Sequence, residues 1–167
     1  MDLKIKLIAL LSVVLFVGCG YKVNIMGVDV TDLKGKDPVK VFVGAVASVV
    51  AHEGAHYLVA KARGTDIEMT GLTTWETPNE RDEYVQHAGF VAQTGIGLIL
   101  NHLPITQGSD YVLGWNAATT AVIATYPLRH GWEADFNEDS KGNWEALTIL
   151  STFNMTESMI YSIEKGK

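Results

Sequence analysis

The sequence predicts a mainly α-helical protein, a compact bundle of about four helices with a small β element after the first. Apolar residues recur in long segments flanked by helix caps, near 39–63, 81–103, 111–126 and 144–164. Gly, Pro, Asn and Asp gather in the connectors between them. Loose alternation, the strand signal, is confined to two short stretches, 23–30 and 65–74. Hydrophobic residues make up 47% of the 167, enough for one folded domain and too many for disorder.

Residues 1–18 have the layout of a cleaved signal peptide. Lys4 and Lys6 form a basic start, Leu7 to Val17 is apolar except for Ser12, and Gly18 precedes Cys19. Phe16-Val17-Gly18-Cys19 resembles the lipobox of bacterial lipoproteins, whose cysteine becomes the lipid-bearing N-terminus. The resemblance implies a lipid anchor on Cys19 and a place in the bacterial cell envelope. Gly20 stands where an aspartate would favour the inner membrane, which points to the outer membrane, facing the periplasm. The alternative is an ordinary signal peptide with Cys19 a bystander. Cys19 is the only cysteine, so no internal disulfide framework is expected. The formal charge is -6 and there is no basic cluster, so no nucleic-acid partner is expected.

Residues 19–38 read as a linker with a short strand, and 39–167 as the folded domain. Asp37 suits the N-cap of the first helix, Pro38 its first turn and Gly64 its end. The first half of that helix is apolar all round, which suits either a core or a membrane. Its uninterrupted apolar part is short of the roughly 20 residues a span needs. Small residues in the second and third helices (Ala88, Gly89, Ala92, Gly95 and Gly97; Ala117, Ala118, Ala121 and Ala124) offer thin surfaces for close packing. Pro127 is expected to close the third helix, and Asn143 to cap the fourth.

The first helix carries His52-Glu53-Gly54-Ala55-His56, an H-E-x-x-H motif. Residues four apart share a helix face, so both imidazoles can point at one metal ion. Glu53 is angled beside that face, where it can take a proton from a metal-bound water. Zinc hydrolases need these parts: two neutral imidazoles, an open position, and a carboxylate that acts as general base. The alternative is a pair of core histidines with Glu53 on a solvated edge.

The run from His52 to Gly64 resembles the zinc-helix signature of the site-2-protease-like metallopeptidases. In that family a short β segment follows, as 65–72 would here, and then an Ala-Gly-Pro-hydrophobic-Ala-Asn helix start. This chain has Ala88-Gly89-Phe90-Val91-Ala92-Gln93, with Phe for Pro and Gln for Asn. The family's Asn-x-x-Pro and Asp-Gly blocks are matched by Asn101-His102-Leu103-Pro104 and Asp110, with Tyr111 for the glycine. The resemblance implies zinc as cofactor, Asp110 as third ligand, and a peptide or protein substrate.

The residues themselves leave the third ligand open. Asp110 also suits an N-cap. Glu83 and His87 lie one turn apart on the second helix, and Glu133 and Asp135 follow the third. If the first and third helices are parallel, Glu133 and Asp135 are better placed than Asp110. The leading function is zinc-dependent peptide hydrolysis by a membrane-anchored enzyme. A non-catalytic, lipid-anchored metal-binding or structural envelope protein is the other reading.

Overall fold

Asp37 begins the first helix as its sequence predicts. Its carboxylate accepts hydrogen bonds from the N–H groups of Val39 and Lys40, and Pro38 takes the first helical position, where no N–H is needed. Gly64 ends the helix in the left-handed region, at φ 69°. The computed structural model describes residues 24–25, 28–29, 35–71, 74–76, 82–130 and 141–165. The chain is mainly helical. Among the described residues there are four helices: α1 (Pro38–Arg63), α2 (Glu83–His102), α3 (Asp110–His130) and α4 (Lys141–Lys165). Cys19 with the leader, and Glu133 and Asp135, lie outside the described residues.

The small β element expected after α1 is not supported as a part of this body. Glu68–Gly71 pairs antiparallel with Thr74–Glu76, and Asn24–Ile25 with Val28–Asp29, but each ladder spans a few residues and the first has an irregular register. Such short pairs add no layer to the architecture.

Two helix limits differ from the sequence reading. α4 starts at Lys141, ahead of the expected cap at Asn143. α3 runs through Pro127 to His130. Pro127 has no N–H to give the Ile123 carbonyl one turn back. The indole Nε1 of Trp144 donates to that carbonyl instead, at 3.2 Å. A donor from α4 therefore offsets the break that the local sequence predicts.

Cross-helix contacts fix the directions. Asp37 meets Asp110 and Ser48 meets Thr119, so α1 and α3 run parallel. Arg63 pairs with Asp82 and Ser48 with Gln93, so α2 runs back along α1. Asn116 meets Ser158 and Thr120 meets Ser151, so α4 runs against α3. α3 lies innermost, with residues 112–119 all buried.

Glycine lets α1 and α3 touch. A Cβ at Gly44 would stand 1.9 Å from Tyr111 O, and one at Gly114 1.9 Å from Val41 O. The two positions are reciprocal, so each backbone lies against the other. Val41, Leu113 and Met159 pack beside this contact. At the other end Phe90, Ile123 and Tyr126 form a second cluster, with Val122, Trp144 and Leu147 against it.

Candidate metal centre

His52 and His56 lie one turn apart on α1, and their rings converge. Their Nε2 atoms are 3.0 Å apart and the ring centroids 4.7 Å. The partner of each Nδ1 determines what those Nε2 atoms carry. His56 Nδ1 lies 2.6 Å from Val85 O, which can only accept, so this nitrogen bears the hydrogen.

His52 Nδ1 lies 2.9 Å from Gln93 Oε1. The orientation of that amide follows from its other side, where Nε2 donates to Ser48 O at 3.0 Å and to Ser48 Oγ at 2.7 Å. Ser48 O can only accept, so the amide nitrogen must face it and Oε1 must face His52. The Ser48 hydroxyl then donates to Thr119 Oγ1, 3.0 Å away, which donates to Trp115 O at 2.9 Å. Gln93, Ser48 and Thr119 are all fully buried, so the chain of donors has no solvent to exchange with. His52 Nδ1 is therefore a donor as well.

In the neutral form both Nε2 atoms then present lone pairs to each other at 3.0 Å. Two acceptors at that distance repel unless a proton or a cation lies between them. Metal-ligating histidines characteristically donate their other ring nitrogen to a carbonyl or similar acceptor, and both rings here do so. Two Nε2 atoms this close can also both reach one ion at a zinc–nitrogen distance of about 2.0–2.1 Å.

The walls are built by α2. A Cβ at Gly89 would stand 2.5 Å from His56 Nε2 and 2.6 Å from His52 Cδ2 and Cε1, so the rings occupy space that only glycine leaves. Phe90 meets His52 edge to face, with centroids 4.7 Å apart. Tyr126 stacks in the same manner on Phe90, at 5.1 Å, which brings the last turns of α3 to this end of the molecule. Glu53 follows His52 on α1 and is half-buried.

Compared with known proteins, the chain matches no family model, no curated protein and no solved structure.

Asp110 does not join the histidines. Its Oδ2 accepts from Asp37 N at 2.9 Å, and Lys36 Nζ lies 3.9 Å from its Oδ1. That is the opposite end of α1, about 22 Å of helix from His52 at 1.5 Å per residue. Because α1 and α3 are parallel, the residue that opens α3 cannot reach a motif late in α1. Glu83 is exposed in the first turn of α2, and His87 is half-buried on the same helix. Among the described residues, no group of three or more His, Cys, Asp or Glu side chains gathers at one point. The sequence marked Gly89 only for close helix packing and Gln93 only as the family motif's Asn position, and it pointed to neither Ser48 nor the Val85 carbonyl. Ser48 carried a signal: 48, 52 and 56 form an i, i+4, i+8 polar stripe on one face of the helix.

Proposed function

We propose that this chain is a zinc-dependent hydrolase of peptide bonds, held in the bacterial envelope by lipid on Cys19. His52 and His56 hold the metal and Glu53 is the general base. The single observation that supports the reading most is the facing pair of Nε2 lone pairs, each imidazole fixed by an Nδ1–H donated to a buried acceptor. The likeness to the site-2-protease-like metallopeptidases gains support from the contact between its first two blocks. Gly89 and Gln93 of the second lie against His52 and His56 of the first.

Zinc bound there would polarise the scissile carbonyl and make water a usable nucleophile near neutral pH. The residues of the chain do the rest. His52 and His56, each held in one tautomer by its Nδ1–H bond, would be the residues that hold the ion. Glu53 takes the proton of the attacking water and passes it to the leaving amine, so the acid ends each turnover ionised again. Glu133 and Asp135, the sequence's other candidates for a third ligand, lie outside the described residues.

The test is the full chain purified without chelator, assayed for zinc content and for peptide hydrolysis. Glu53→Gln should keep its zinc and lose about 10²-fold or more of the rate. Zinc retained with unchanged hydrolysis would overturn the role of Glu53. Wild-type protein that binds no divalent metal would overturn the whole reading.

A further inference from the structure

We propose that His102 and Glu157 form a second divalent-cation site, apart from the histidine pair, with Asn154 as its third protein ligand. The site joins the last turn of α2 to the later half of α4. It lies about 20 Å along α2 from Gly89, which lines the His52 and His56 rings, at 1.5 Å per residue. The two sites share no residue.

The first observation is the state of the His102 ring. Its Nδ1 lies 2.9 Å from Leu98 O, one turn back on α2. A carbonyl can only accept, so Nδ1 bears the hydrogen and the neutral ring leaves its lone pair on Nε2. Metal-ligating histidines are held in this way. That Nε2 lies 3.9 Å from Glu157 Oε1. The separation is too long for a hydrogen bond. It fits within the roughly 4.3 Å that a nitrogen and an oxygen span when they hold one zinc-sized ion between them.

The second observation is the other oxygen of Glu157. Oε2 is buried, and among the described residues it has no hydrogen-bond partner. A simple ion pair with protonated His102 would answer Oε1 and leave Oε2 as it stands. A carboxylate oxygen taken out of water without a partner is costly. The lysines on the later turns of α4 are committed elsewhere: Lys36 Nζ donates to Ser162 O and Lys165 Nζ to Gln107 O. A cation held by both carboxylate oxygens satisfies them together.

Asn154 supplies the third observation. It lies three residues before Glu157 on α4, a neighbouring position on the helix surface, and it is fully buried. Its Nδ2 donates to Thr94 O at 2.9 Å. Thr94 O only accepts, so the amide has one orientation, and its Oδ1 has no partner among the described residues. An imidazole, a carboxylate and an amide oxygen make a donor set without sulfur, which suits zinc and its first-row neighbours. The His102 side chain is 55% exposed, so an ion has a path from solvent and water can fill its remaining positions.

The test uses the full chain, stripped with EDTA and returned to Zn2+ alone. Zinc per chain is counted, and the imidazole nitrogen resonances are followed by NMR as zinc is added. His102→Gln, a change at an exposed position, identifies the His102 signal. In the unsubstituted chain the His102 Nε2 resonance should move with zinc. His102→Gln and Glu157→Gln should each hold one zinc fewer per chain, and Asn154→Leu should bind that zinc about 10-fold more weakly. The His102 resonance reports its own site, so the result stands even where the His52 and His56 pair holds no metal. A His102 resonance that zinc does not move would overturn the proposal, and so would zinc content unchanged in both His102→Gln and Glu157→Gln. An Asn154→Leu protein with full affinity would remove Asn154 from the ligand set.

Discussion

Gly89 lies against His56, so close that a Cβ on it would stand 2.5 Å from the Nε2 atom. The same Cβ would press on two atoms of the His52 ring at 2.6 Å. Neither ring can swing away without breaking its Nδ1–H bond to Gln93 or Val85. Gly89→Ala should therefore cost about 1–3 kcal/mol of stability from overpacking and scatter the two Nε2 atoms. A denaturant titration and a zinc analysis of the same preparation check this. A stable Gly89→Ala protein with full zinc content would show that the rings have slack.

Gln93 holds His52 in the tautomer that turns the Nε2 lone pair towards His56. Gln93→Leu removes the acceptor and should weaken zinc binding by about 10–100-fold, as losing such a supporting partner commonly does. Gln93→Glu restores an acceptor facing Nδ1 and should recover part of the loss. Competition against a zinc indicator measures both. Equal affinity in all three proteins would remove Gln93 from the site.

Asp110 ties the start of α3 to the start of α1, away from the histidine pair. Asp110→Ala should leave zinc content unchanged and lower stability by about 1–2 kcal/mol, through the lost bond from Asp37 N. A thermal melt beside a metal analysis decides it. Loss of zinc with stability kept would return Asp110 to the ligand set.

Asp82 caps α2 and pairs with Arg63 at the end of α1. Desolvation pushes its carboxyl up, but the hydrogen bonds from Arg63 and from the N–H groups of Val85 and Tyr84 outweigh it and hold the group below its ordinary 3.8. A depressed folded value means the contribution to stability is complete at neutral pH. It starts to fall near 3.8 and is gone below the folded value. Arg63 is partly exposed, so the ion pair is worth under about 1 kcal/mol. Asp82→Asn keeps a capping oxygen and isolates the charge. Its stability deficit against the wild type should be constant from pH 7 to about 5 and shrink as the pH falls through 3.8. A deficit that grows on acidification would reverse the sign and refute the assignment.

By itself the sequence determined what depends on near neighbours. The spacing of His52 and His56 puts both imidazoles on one face because the helical repeat is local. Asp37, Pro38 and Gly64 bound α1 because capping needs only the adjacent backbone. The mainly helical class followed from the same short-range patterns. Pro127 marks where local reading fails, since the donor that keeps α3 intact comes from Trp144 on another helix. Tertiary structure alone decided what faces the histidines. The parallel run of α1 and α3 carries Asp110 to the far end, and the antiparallel run of α2 brings Gln93, Gly89 and the Val85 carbonyl to the rings. The physical reason is that helix direction and close approach are set by contacts dozens of residues apart in the chain, such as Gly44 on Tyr111 and Gly114 on Val41, which no local periodicity encodes.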